Sequence, residues 1–96
     1  MLTILLAHTV QLSGSSAEEV DRCLARMAHG DTGALGRLYE LTREAVYGYS
    51  LSITKNAHDA EDVMQETFVR AHLSAGRYVS QGKPMAWLMR IARNLA

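Results

Sequence analysis

Apolar residues recur at intervals of three and four positions along almost the whole chain after Ser16. This spacing places them on one face of a helix, so the pattern predicts a succession of amphipathic helices. The chain has one proline, its β-branched residues do not cluster, and no internal repeat or low-complexity tract occurs. The sequence therefore predicts an all-α fold, a compact bundle of about four helices over residues 15–96.

The first helix is predicted to start at Ser16 and to end near His29. Ser16 followed three residues later by Glu19 forms a capping box, in which each side chain satisfies a backbone amide of the first turn. Gly30 suits the left-handed position that ends a helix, and Asp31 is a suitable N-cap for the next one. The residues predicted to point inward are Val20, Leu24 and either Met27 or Ala28.

The second helix is predicted over residues 32–54. Its apolar face comprises Leu35, Leu38, Tyr39, Thr42, Val46, Tyr49 and Ile53. Three glycines, Gly33, Gly36 and Gly48, each weaken an isolated helix by about 1 kcal/mol relative to alanine. Packing against the other helices must therefore stabilise this element.

Two more helices follow, one capped by Asn56 and one that starts at Pro84, a residue favoured at the first helical position. The third should end near Ala75, with Gly76 as its stop, and residues 76–83 should form a polar loop. The buried face of the third helix is predicted to contain Ala60, Val63, Met64, Thr67, Phe68 and Ala71. That of the fourth is predicted to contain Met85, Leu88, Ile91, Ala92 and Leu95.

Length and composition predict one small domain with an ordinary apolar content of 48%. Cys23 is the only cysteine, which excludes an internal disulfide and fits a buried apolar role in a reducing cytoplasm. Residues 1–14 are predicted to be a loosely attached leader, because they lack the basic start of a secretory signal and are too short to span a membrane. The helical pattern is still in progress at Ala96, which predicts that the chain is a piece of a longer protein.

Charge is sorted along the sequence although the ten basic and ten acidic residues balance. Residues 57–66 contain four carboxylates and no Lys or Arg, whereas residues 67–96 contain five Lys or Arg and no carboxylate. The basic block also contains Tyr78 and Trp87, and cations beside aromatic rings suit a phosphate backbone with unstacked bases. Such a chain has the means to present an acidic surface to one partner and a basic surface to another.

Each charged segment also has a plain structural interpretation. Asp62, Gln65 and Glu66 fall on one exposed stripe of the third helix, where they form either a solvated face or a docking face for a basic partner. The basic block is either a solvated face with Trp87 in the core or a nucleic-acid contact. In the second case Arg90 and Arg93 would grip adjacent phosphates, and Asn94 would read a base edge.

The sequence motifs give little support for a catalytic site or a metal site. His58, Glu61, Asp62 and Glu66 lie close together in the sequence, but neither the His-Glu-x-x-His nor the Glu-x-x-His pattern occurs. A phosphate-binding glycine loop and a nucleophile elbow are also missing from the sequence. We therefore predict a protein that is not an enzyme and uses no cofactor.

Three segments together resemble region 2 of a bacterial RNA polymerase sigma factor of the extracytoplasmic-function (ECF) group. They are GD at residues 30–31 followed by ALGRLY at 34–39, DAEDVMQETFVRA at 59–71, and KPMAWLMRIARNLA at 83–96. The second and third segments are specific, and the resemblance extends over residues 17–96. It implies a cytoplasmic transcription initiation factor with a helical domain similar to sigma-70 region 2.

The resemblance implies two partners. The third helix would dock on the clamp helices of the polymerase β′ subunit, and the loop and helix around Trp87 would engage the minus-ten promoter element and hold its non-template strand open. The implied docking residues are Glu61, Asp62, Gln65 and Glu66. The implied DNA-binding residues are Arg77, Tyr78, Ser80, Gln81, Lys83, Trp87, Arg90, Arg93 and Asn94.

The sequence departs from the family pattern in two places. The loop at residues 77–82 lacks an acid often present there, which leaves the captured base undefined. The basic continuation, linker and helix-turn-helix domain of region 4 do not follow residue 96 in this chain.

The resemblance also implies an inhibitory anti-sigma protein as a partner. Two alternatives stay open: a helical protein-interaction adaptor without DNA contact, and a small helical metal enzyme.

Overall fold

The computed structural model describes residues 14–79 and 82–96, and every regular element in these ranges is helical. Four α-helices span Gly14–Ala28 (α1), Thr32–Thr54 (α2), Ala57–Ser74 (α3) and Pro84–Leu95 (α4), and a short 3-10 turn spans Ala75–Arg77. The predicted all-α bundle of about four helices is confirmed. None of the described helices has the length and apolar character needed to cross a lipid bilayer.

The connections between the first three helices are short because each is built from residues with the right backbone preference. Gly30 has φ +88°, and its amide donates to the Met27 carbonyl at the end of α1. The Asp31 carboxylate then accepts from the amides of Gly33 and Ala34, as predicted for an N-cap. The Asn56 side chain accepts from the Asp59 amide and caps α3.

Two residues do not have the roles predicted for them at helix ends, although α3 ends at Ser74, close to the predicted Ala75. α1 begins at Gly14, so Ser16 lies inside the helix and not at its N-cap. The Glu19 carboxylate, which the capping box would have used, accepts from the Arg37 guanidinium instead, a stronger charge-assisted hydrogen bond. Gly76 does not stop α3, because Ala75 keeps a right-handed helical conformation and the chain tightens into the 3-10 turn.

The core lies where all four helices meet, and α2 packs most extensively against α3. Three leucines, Leu24, Leu38 and Leu88, have no exposed surface. Ile53 was predicted to be buried but is 39% exposed, since it lies in the last turn of α2 at the edge of the bundle. Cys23 is buried as predicted, and burial raises the pKa of its thiol.

Three buried hydroxyls in the described part of the core bond within their own helices. Thr42, Ser50 and Thr67 each donate to the carbonyl four residues earlier in their own helix, at 2.7, 2.8 and 2.7 Å. All three residues are fully buried. This local bonding satisfies each hydroxyl in an apolar environment.

Candidate functional site

The acidic stripe, which we define as Glu61, Asp62, Gln65 and Glu66, lies on the solvent side of α3. The opposite side of the helix is held in the core by Ala60, Met64, Thr67, Phe68 and Ala71. All four stripe residues are exposed, and the side chains of Asp62 and Glu66 retain 67% and 47% of their accessible surface. The structure therefore presents the predicted docking residues together on one free face.

The hydrogen bonds of the stripe stay within α3. Gln65 Nε2 donates to Glu61 Oε1 at 3.1 Å, and Arg70 Nε donates to Glu66 Oε2 at the same distance. Exposed pairs of this kind contribute about 0.2–1 kcal/mol at most. A partner with its own cations would replace them at little cost.

Two exposed apolar residues continue the stripe toward the end of α3. Val69 and Leu73 are 50% and 75% exposed, and they follow Gln65 at steps of four residues. Residues four apart lie next to each other on a helix surface, so the two apolar side chains extend the line of Gln65 toward the end of α3, beside the exposed Arg70 and His72. Sequence reasoning missed both residues, although this spacing was available as a signal.

An apolar cleft opens beside the stripe, between α2 and α3. Its volume is about 240 Å³, and its lining residues are Tyr39, Arg43, Glu44, Tyr47, Glu61 and Met64. The Tyr39 ring meets the Phe68 ring edge to face at 5.0 Å, and the Arg43 guanidinium lies 5.7 Å from the Tyr39 centroid. The cleft shares Glu61 with the stripe and thus joins it to a pocket for an apolar side chain.

A second cleft, which we call the aromatic cleft, lies where the 3-10 turn meets α4. It encloses about 270 Å³ and is lined by Arg77, Tyr78, Val79, Lys83, Ala86, Trp87 and Arg90. The Tyr78 and Trp87 rings meet edge to face, with centroids 5.2 Å apart and planes at 67°. Both rings are half-buried, whereas the three cationic residues are exposed around them.

Local structure fixes the two rings. The Tyr78 amide donates to the Ala75 carbonyl and closes the 3-10 turn. The Tyr78 hydroxyl donates to the carboxylate of Asp21 on α1. Pro84 occupies the start of α4, so Trp87 falls in the first turn of that helix.

The remaining predicted DNA-binding residues do not all join this cleft. Arg93 and Asn94 are exposed further along α4, three and four residues beyond Arg90, and do not line the cleft. Arg93 continues the basic rim along α4, and the neutral Asn94 lies beside it. Ser80 and Gln81 lie outside the described residues.

The acidic stripe and the aromatic cleft do not neutralise each other. Among the described residues, no salt bridge joins a carboxylate of the stripe to a cation of the cleft or of α4. Asp62 of the stripe instead faces the end of α4, across a cleft of about 310 Å³ that shares no lining residue with the aromatic cleft and is lined by Thr54, Asp59, Asp62, Val63, Leu95 and Ala96. Both surfaces are thus accessible at the same time.

The residues considered for a metal site do not converge. His58 Nε2 lies 3.7 Å from Asp62 Oδ2, while Glu61 and Glu66 bond Gln65 and Arg70. Within residues 14–79 and 82–96, no group of three or more His, Cys, Asp and Glu side chains is arranged to hold a metal ion.

The family match and the similar curated proteins described here all point to RNA polymerase sigma factors. Residues 38–96 match the Sigma-70 region 2 family. The ECF RNA polymerase sigma factor BldN of Streptomyces coelicolor is 35% identical over 89 residues, which cover 92% of this chain and 34% of BldN. The ECF RNA polymerase sigma factor SigM of Bacillus subtilis is 40% identical over 60 residues, 62% of this chain and 36% of SigM.

A third relative, the ECF RNA polymerase sigma factor SigE of Mycolicibacterium smegmatis, is 35% identical over 97 aligned positions, with 94% of this chain and 37% of SigE covered. The chain spans about a third of the length of these curated relatives. No solved structure gives a significant match. Because the family match covers more than half of the residues, this protein belongs to the Sigma-70 region 2 family.

Proposed function

We propose that this chain is the polymerase-docking and promoter-opening domain of a transcription initiation factor of the ECF sigma group. Family membership and the names of the relatives, all RNA polymerase sigma factors, support the proposal. The observation that carries it is the presence of two exposed surfaces with different chemistry, between which no ion pair forms within residues 14–79 and 82–96. This arrangement leaves one surface for a protein and the other for a nucleic acid.

In this proposal, the outward face of α3 docks on the clamp helices of the polymerase β′ subunit. The acidic stripe supplies charged and amide groups, and Val69 and Leu73 supply apolar area beside it. Interfaces commonly place apolar anchors within a polar rim, and the anchors contribute a large share of the affinity. The face therefore has both components of a specific protein contact.

The aromatic cleft holds the non-template strand of the minus-ten element in an opened state. Opening requires a few kcal/mol to unstack a base, and stacking on an aromatic ring returns about 1–3 kcal/mol per base. Arg77, Lys83 and Arg90 surround the rings and would screen phosphates on either side of the captured base. Arg93 and Asn94 would follow the strand along α4, while Ser80 and Gln81 would act from the loop.

This reaction involves no covalent step, so the proposed domain needs neither a catalytic residue nor a cofactor. The proposed domain begins with α1 at Gly14 and extends to residue 96, so Gly14 belongs to the domain and not to the predicted leader. The rest of the predicted leader, residues 1–13, lies outside the described residues. The proposed setting is the cytoplasm, where the polymerase works. An anti-sigma protein would inhibit it by covering one of the two surfaces.

The docking half is tested with an immobilised fragment of the β′ clamp helices at low salt. Gln65→Lys and Glu66→Lys should each weaken binding by more than about tenfold, since like charges in an interface are strongly unfavourable. Glu18→Lys is the matched control, because Glu18 is exposed on α1, away from the stripe. Wild-type protein that fails to bind the fragment would refute this half.

The DNA half is tested through Trp87, the only tryptophan in the chain. Single-stranded minus-ten DNA should change its fluorescence, with an affinity that falls as salt rises. The double substitution of Arg90 and Arg93 by Glu should abolish binding. Arg22→Glu, a change of the same type at a residue that does not line the cleft, should have a smaller effect. Unchanged binding by the double variant would remove Arg90 and Arg93 from the DNA contact. Wild-type protein that does not bind this DNA at low salt would favour the adaptor function without DNA contact.

A further inference from the structure

Asp21 and Tyr78 are joined by a hydrogen bond although 57 positions separate them in the sequence. Asp21 lies on α1, and Tyr78 follows the 3-10 turn after α3. The bond therefore connects the first helix of the bundle to one wall of the aromatic cleft. Tyr78 lines the proposed DNA-binding cleft, whereas Asp21 lies on a helix that contributes no residue to either proposed binding surface.

Tyr78 needs such an anchor because its own segment is irregular. Tyr78 and Val79 lie between the 3-10 turn and α4, outside any helix. Edge-to-face packing on Trp87 and the bond from its hydroxyl both limit the rotation of the Tyr78 ring. A ring held in place before binding loses less entropy when a base stacks on it.

We infer that Asp21 is a positioning residue for the aromatic cleft: its carboxylate holds the Tyr78 ring against Trp87 in the orientation that receives an unstacked base. The inference rests on the proposed DNA-binding function and adds α1 to the elements that build the site. Asp21 is not among the residues that line the cleft, so it acts through Tyr78 and not by contact with the strand.

A charge effect and a positioning effect of Asp21 predict opposite changes in DNA affinity when its carboxylate is removed. A carboxylate near a DNA-binding cleft repels phosphate, so its removal should strengthen binding if charge alone mattered. A positioning role predicts the reverse, because the loss of the hydrogen bond frees the Tyr78 ring. The two effects oppose each other in Asp21→Ala, and the direction of the change shows which one dominates.

The experiment compares the 96-residue chain carrying Asp21→Ala, Asp21→Asn or Glu18→Ala with the wild type. The probe is a single-stranded oligonucleotide that contains a minus-ten element, and Trp87 fluorescence reports binding. Asp21→Ala should bind about fivefold more weakly, the effect of one net hydrogen bond. Asp21→Asn keeps an oxygen that accepts from the Tyr78 hydroxyl and should bind as tightly as the wild type or tighter. Glu18→Ala removes the same charge from an exposed site on α1 and should not weaken binding.

Two further measurements separate positioning from a general loss of structure. Tyr78→Phe breaks the same bond from the other side and should match Asp21→Ala, and the double variant should be no weaker than either single one. Near-ultraviolet circular dichroism of the free protein should change in Asp21→Ala and Tyr78→Phe but not in Glu18→Ala, while the far-ultraviolet helix signal stays constant.

Asp21→Ala that binds as tightly as Glu18→Ala would overturn the inference and leave the proposed function intact. Equal weakening by Asp21→Asn and Asp21→Ala would also overturn it, because the hydrogen bond would then not be the cause. Wild-type protein that shows no salt-sensitive binding would remove the proposed function, and the positioning role with it.

Discussion

Arg37 Nε lies 2.7 Å from Glu19 Oε2 and joins α2 to α1 across 18 positions of the chain. The hydrogen bond from the guanidinium is the main reason that the pKa of Glu19 is lowered, and the positive charge of Arg37 acts in the same direction. The pair is exposed, so its contribution to stability is small. The lowered pKa of Glu19 nevertheless makes the stability of the folded state depend on pH.

Acid should weaken this contact. A carboxyl whose pKa is lower in the folded state stabilises that state above its unfolded pKa, and the contribution disappears as pH falls through the folded pKa. Glu19→Gln should therefore lower the melting temperature slightly at pH 7 but not at pH 2. Thermal unfolding at both pH values measures this difference. Glu18→Gln is the control, and an equal pH effect in that variant would contradict the prediction.

Lys55 occupies a left-handed backbone conformation, with φ 56°, directly after α2. Its amide donates to the Leu51 carbonyl at 2.8 Å, so this conformation completes the end of the helix. Glycine adopts it without the strain caused by a Cβ atom. Lys55→Gly should be about 1 kcal/mol more stable than Lys55→Ala. Urea unfolding of the two variants tests the prediction, and a more stable alanine variant would show that no strain is present.

Two leucines provide a matched test of where the stability of the bundle resides. Leu88 has no exposed surface, whereas Leu73 is 75% exposed. Leu88→Ala should cost about 2–5 kcal/mol, because it removes buried methyl groups and leaves a cavity. Leu73→Ala should change the free energy of unfolding by no more than about 0.5 kcal/mol. Similar costs in urea unfolding would mean that the described core is not the one that holds the fold.

The same exposed leucine should matter for docking. Under the proposed function, Leu73→Asp should weaken binding to the β′ clamp fragment about tenfold by placing a charge at an apolar contact. Val79→Asp is the control, since Val79 is 68% exposed and lines the aromatic cleft instead. Pull-down at constant salt measures both. Equal binding by the two variants would remove Leu73 from the docking face.

Local chemistry made the helix boundaries predictable where a residue acts within its own turn. Asp31 and Asn56 cap the helices that they precede, Gly30 ends α1, and Pro84 starts α4. Each of these roles depends on backbone preference and on hydrogen bonds within four residues, which a sequence contains. The capping box at Ser16 is wrong because α1 begins two residues earlier, at Gly14, so Ser16 lies inside the helix.

Features that depend on distant residues were not predictable in this way. Nothing near Tyr78 in the sequence indicates Asp21 as its partner, and nothing near Trp87 shows that it would be half-buried against that ring. The stripe on α3 was predictable because all its members lie within six residues. Its apolar continuation at Val69 and Leu73 was missed because only charge was followed along that face.

The inward hydroxyls of Thr42, Ser50 and Thr67 have a mechanical consequence. Because each one bonds a carbonyl of its own helix, these groups do not fix one helix to another by a directional bond. At these positions, neighbouring helices are held by close-packed surfaces, and even a small gap between them removes part of the dispersion attraction. The relative placement of the helices at the three sites is therefore set by the shapes of the packed side chains and not by hydrogen-bond geometry.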